Sequence, residues 1–231
     1  MLIETMTPIE VTSEILEDWS IVTKSFDRLV NDYDKERRRS KIDKGDIYSL
    51  PYEIKTKKKN TWIFIFSKAP SEDKYKGQSS INICSLVYYY SSIGLRVFKI
   101  MPKGGISVYN GHLFKRYNER MSLGLEKPLD IVKHFFINNG YFTSKVIPKN
   151  NKEFTISVCK EGLLLGELQE DRSFLVNKTF INKNLIRLDQ NEAEEELIKS
   201  LQDEIETELN KVDFDKESYY YKADIIKGIT G

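Results

Sequence analysis

Residues 61–66 read TWIFIF, an aromatic and β-branched run with no polar position between Trp62 and Phe66. A strand that faces water on one side alternates apolar with polar side chains, so an unbroken apolar run predicts a strand covered on both faces or nearly so. After a polar loop over residues 67–80, residues 81–90 and 95–101 repeat the strand signature on either side of SSIG, a short hairpin connection. Three antiparallel strands are therefore expected. Pro102, Gly104 and Gly105 close this section, and a brief strand over residues 106–109 follows.

Upstream, Thr12 or Ser13 can cap a helix in which Ile15, Leu16, Trp19, Val22, Phe26, Leu29, Val30 and Tyr33 recur at three- and four-residue steps. Gly45 and Pro51 then punctuate a polar connection. Downstream, Gly111 opens one helix and Pro128, a favoured first helical residue, opens a second that buries Ile131, Val132, Phe135 and Phe136. Residues 141–147, 153–159, 163–168 and 174–180 form four strand candidates separated by turn residues. From Asn182 a long last helix is expected through Leu185, Leu188, Leu197, Leu201, Ile205 and Leu209, before a Tyr-rich tail. The fold class that results is α+β: antiparallel sheet material with a helical pair packed on one face, between long N-terminal and C-terminal helices. Residues 1–105 and 106–231 divide naturally into two units, or interlock as one.

The 231 residues are 40% hydrophobic, 12% aromatic and 31% charged, a globular composition that excludes wholesale disorder. Net charge is only +1, so the whole molecule is no polyanion magnet. The charge is unevenly distributed. Residues 35–59 are locally cationic, with Arg37, Arg38, Arg39, Lys57, Lys58 and Lys59 as candidate nucleic-acid contacts, whereas residues 192–217 are strongly acidic. The acidic helix offers a surface for a protein partner, or a cover for the cationic segment. Cations at a helix end also complement the helix dipole, so Arg37 to Arg39 have a structural role open to them.

Cys84 and Cys159 lie far apart without a CxxC, and His112 and His134 form no zinc-ligand spacing, so no metal and no cofactor is expected. MPKGGIS lacks the spacing and ending of a P-loop, and no GxSxG elbow is present. No basic, apolar leader is written at the start and no run approaches ~18 apolar residues. A cytoplasmic address without membrane contact follows as the expectation.

The densest reactive set is GHLFKRYNER, residues 111–120. Helical periodicity puts His112, Arg116 and Arg120 in one row with Glu119 beside it, opposite Leu113, Phe114, Tyr117 and Met121. An imidazole can exchange a proton with a ribose hydroxyl or a leaving oxygen while guanidiniums neutralise charge on phosphorus. Lys178 and Thr179 offer an ammonium and a hydroxyl for the same cleft, although strand alternation gives them opposite faces. Against this, Arg116 and Glu119 at i, i+3 also make an ordinary intrahelical ion pair. His134, among Ile131, Phe135 and Phe136, occupies a packing position.

The pattern His-x3-Arg-x2-Glu-Arg on a helix, followed by a second helix and a strand meander over residues 111–181, resembles the RelE and barnase-like toxin ribonucleases. The resemblance implies a helix packed on an antiparallel sheet and RNA cleaved without metal. His112 would then act as acid or base, with Arg116, Arg120 and Lys178 or Thr179 holding the phosphate. The expected function is RNA-acting, a metal-independent toxin-like ribonuclease with RNA as partner. The alternative is a non-enzymatic interaction protein of a bacterial or mobile-element system.

Overall fold

The computed structural model describes residues 1–40, 47–68, 81–101, 105–140, 142–149, 152–169 and 174–183. Two helices come first, α1 (Pro8–Val22) and α2 (Phe26–Arg39), joined by a 3₁₀ turn over Thr23–Ser25. Five strands follow: β1 (Tyr48–Lys55), β2 (Thr61–Lys68), β3 (Asn82–Ser91), β4 (Gly94–Ile100) and β5 (Ile106–Asn110). Helices α3 (Gly111–Arg120) and α4 (Pro128–Asn138) precede β6 (Thr143–Lys149), β7 (Lys152–Cys159), β8 (Gly162–Leu168) and β9 (Phe174–Asn182).

Among the described residues, all nine strands belong to one sheet in the order β1-β2-β3-β4-β5-β9-β8-β7-β6. Every pairing is antiparallel except β5–β9, which is parallel. β2 shows what holds the layers together. Trp62, Phe64 and Phe66 pack with Val11, Ile15, Trp19, Leu29 and Tyr33 of α1 and α2. Ile63 and Ile65 pack on the opposite face with Leu113, Phe114, Tyr117, Val132, Phe135 and Phe136 of α3 and α4. The expectation of a doubly covered strand at residues 61–66 holds. The expectation of one helical pair on one face is corrected: each face carries its own pair, because alternate residues of β2 are both apolar. The expected division after residue 105 falls between β4 and β5, which are paired through Ile100 and Ile106.

Three further differences have local causes. The first helix begins at Thr7 and not at Thr12 or Ser13: the Thr7 hydroxyl accepts from the Glu10 amide at 3.3 Å, and Glu10 accepts from the Thr7 amide at 2.7 Å, a capping box with Pro8 behind it. The single long N-terminal helix is two, since the Thr23 hydroxyl donates back to the Trp19 carbonyl at 3.0 Å where the ladder tightens. Finally, the polar connection around Pro51 is strand β1. Pro51 is tolerated there because β1 is the sheet's edge. The expected C-terminal helix lies outside the described residues.

The β8–β9 pairing is close enough that a Cβ at Gly166 would collide with the Val176 carbonyl. Its register steps from Gly166↔Asn177 to Leu165↔Thr179, a β-bulge that reverses the alternation of β9. Phe174 and Val176 thus face the α1/α2 core, and Phe180 the α3/α4 core.

Candidate functional site

On α3 the expected two-sided character is present: Leu113, Phe114 and Tyr117 are buried, and His112, Lys115, Arg116 and Glu119 are exposed. Arg116 lies along the surface between two neighbours. Its Nε reaches His112 Nε2 at 3.4 Å and its Nη1 pairs with Glu119 Oε2 at 3.3 Å. Lys115 also approaches Glu119, at 4.0 Å. The guanidinium is therefore already neutralised by a carboxylate on its own helix.

Arg120 leaves this row. It is half-buried and donates from Nη1 to the Phe180 carbonyl, while Asn182 Nδ2 donates to the Arg120 carbonyl at 3.3 Å. Both bonds fasten the end of α3 to β9. Lys178 pairs with Glu167 at 2.5 Å, and Glu167 registers with Val176 in the core under α1 and α2. Thr179 registers with Leu165, next to Leu164, which faces α3 and α4. Because of the bulge, both Lys178 and Thr179 thus occupy the sheet face away from α3. The structure brings together His112, Arg116 and Glu119, and it separates Arg120, Lys178 and Thr179 from them.

The cationic segment is likewise divided. Arg37, Arg38 and Arg39 end α2 near the start of β1, where the Tyr33 hydroxyl donates to the Tyr48 carbonyl at 2.8 Å. Arg37 pairs with Asp34 at 3.8 Å and Arg39 with Glu36 at 3.5 Å. Lys57, Lys58 and Lys59 occupy the turn after β1, which places them roughly 23 Å away along the strand. Lys58 is bound by Glu14 at 3.1 Å and Glu17 at 2.5 Å, whereas Lys57 and Lys59 are exposed. Burial opposes ionisation of Glu14, but hydrogen bonds from the Met1 ammonium, Asn60 and Lys58 outweigh it and hold the carboxyl at about 2.

A polar network absent from the sequence expectations joins α3, α4 and the β7–β8 turn. The Tyr117 hydroxyl donates to Glu161 Oε2 at 2.7 Å and lies 2.9 Å from His134 Nδ1. The phenol gives its only proton to the carboxylate, and Asn138 Nδ2 also lies 3.2 Å from His134 Nδ1. Asn139 closes the ring: its Nδ2 donates to Glu161 Oε2 at 2.5 Å, and its Oδ1 accepts from the Glu161 amide at 3.0 Å. Burial, reinforced by the Glu161 carboxylate, pushes the Tyr117 phenol far above its ordinary value. The signal available in sequence was a tyrosine and a histidine on the packing sides of consecutive helices, two polar tips that burial obliges to find partners.

A buried amine lies nearby. Lys99 Nζ donates to the Gly140 carbonyl just past the end of α4 at 2.7 Å and sits 4.4 Å from the centroid of Phe142. Burial lowers its pKa, and burial raises that of the Cys84 thiol close to it. Among the described residues, no group of three or more His, Cys, Asp or Glu side chains is arranged to hold a metal ion. No described helix is long and apolar enough to cross a membrane. No family model, no curated protein and no solved structure matches this chain.

Proposed function

We propose that this protein works as a non-enzymatic interaction protein, with the exposed side of α3 as one of its contact surfaces. The observation that supports this most directly is the disposition of Arg116, which lies flat on the helix against Glu119 with a side chain 46% exposed. A phosphoryl-transfer site needs its cations uncommitted and converging on one recess. Here Lys178, the ammonium expected to share the cleft, is on the far face of the sheet and bound to Glu167. The test is incubation of the full chain with total RNA in EDTA. Intact RNA is the expected result, and cleavage that disappears in His112→Ala overturns the reading.

A second reading, RNA binding or cleavage, is favoured by the 3.4 Å contact between His112 and Arg116, which keeps an imidazole and a guanidinium side by side in water. It predicts RNA affinity that falls steeply with salt and weakens in Arg116→Ala. Affinity that ignores Arg116 removes it.

A further inference from the structure

One quarter of the sheet carries apolar side chains with no described helix over them. In β8, Leu164 faces α3 and α4, so Leu163 and Leu165 face the other way. Their register partners continue that face: Val158 and Ile156 on β7, and Ile181 on β9. Phe154 shares it through Glu167, and Ile147 shares it through Phe154. Under β1 to β5 the same face is sealed by α1 and α2. Neither hydrophobic core includes Phe154, Ile156, Val158 or Leu165, and Phe154 is 40% exposed, whereas Leu163 beside β9 is buried. An antiparallel sheet with both faces apolar needs a layer on each.

The chain itself supplies a candidate layer. β9 ends at Asn182, whose register partner Gly162 adjoins Leu163, so the described chain stops at the border of this face, where residues 184–231 begin. Their acidic stretch, residues 192–217, carries Leu197, Leu201, Ile205 and Leu209 at four-residue steps, the spacing of one apolar stripe. Lys145 registers with Ile156 and sets a cation on the same face, opposite in sign to that segment. The three strands from β9 to β7 span only about 10 Å, a distance that a directly tethered segment covers within a few residues. Tethering gives the segment an effective concentration that a second copy in dilute solution does not match.

We propose that the stripe Leu197, Leu201, Ile205 and Leu209 docks on the face formed by Phe154, Ile156, Val158 and Leu165, leaving the acidic side outward. This covers an apolar face of the sheet; it does not place the acidic segment on the cationic residues 35–59. The test uses the full chain with a photoreactive phenylalanine analogue at position 154. Illumination should crosslink position 154 to peptides from residues 197–209 of the same chain, and the crosslink should be lost in a Leu201→Asp, Ile205→Asp double variant. Crosslinks only between two copies assign the face to a dimer and overturn the proposal. Failure to crosslink, or crosslinks confined to residues 1–183, also overturn it. Because position 154 keeps an aromatic ring, the first measurement does not depend on whether the double variant folds.

Discussion

The two helical layers are each fastened to the tip of a hairpin by a carboxylate, and they do so with different chemistry. Under α1, Asp18 is 0% exposed and its Oδ2 accepts from the Asn60 amide at 2.7 Å, the Thr56 hydroxyl at 3.0 Å and the Trp62 indole at 3.2 Å. Asn60 in turn accepts from the Leu2 amide at 2.7 Å. Under α3 and α4, Glu161 is only half-buried, and its partners include a phenol that itself contacts an imidazole. The first carboxylate sits on the helix and reads the turn. The second sits on the turn and reads the helices. A sealed set of neutral donors tolerates no change of partner, whereas a half-exposed ring of titratable groups has water as an alternative.

Asp18→Ala is the strongest way to test that contrast. It leaves a hydroxyl, an amide and an indole N–H without their acceptor in a dry site, and a loss of about 4 kcal/mol is expected in chemical denaturation. A loss below about 1 kcal/mol would put Asp18 on the same footing as a surface residue. Tyr117→Phe removes the contacts to Glu161 and His134 from the opposite layer while Asn139 still holds Glu161, so about 1 to 2 kcal/mol is expected. Combining Tyr117→Phe with Glu161→Gln should give a non-additive sum, and strict additivity would show that the hydroxyl and the carboxylate act independently.

Acid should separate the layers next. Glu14, beside Asp18 on α1, has its carboxyl held at about 2 against an ordinary 4.5. A lowered folded-state value means stability that is fully present above pH 4.5 and lost as pH falls towards 2. Unfolding midpoints measured across that window should drop in the parent and drop less in Glu14→Gln. The smallest effect belongs to the exposed row on α3. Arg116→Ala should move stability by less than about 0.5 kcal/mol, because a surface pair at 46% and 45% side-chain exposure is largely screened.

Residues whose role depends on near neighbours in sequence were legible from the letters. TWIFIF declared two buried faces, SSIG declared a hairpin, and Pro128 with Phe135 and Phe136 declared α4, since each signal is complete within a few residues. Pro51 misled because its tolerance depends on being at an edge, which is a property of the whole sheet. Strand alternation puts Lys178 and Thr179 on opposite faces, and the bulge opposite Gly166 puts both on one. The row His112, Arg116, Arg120 was correct as helical geometry, but Arg120 is drawn aside by the Phe180 carbonyl, sixty residues further along the chain. The Tyr117–Glu161 bond spans forty-four residues and left no periodic trace.

The single parallel pairing among the described strands, β5 with β9, has a consequence for synthesis. When residues 1–110 have left the ribosome, the growing polypeptide already possesses five of its strands but ends in an open border: Ile106, Ser107, Val108 and Tyr109 await Phe174 to Asn177. Residues 111–173 must be translated before that border can close, and adhesive main-chain groups stay available to other nascent chains throughout the delay. Chaperone demand in the cell should therefore peak while residues 111–177 are being translated.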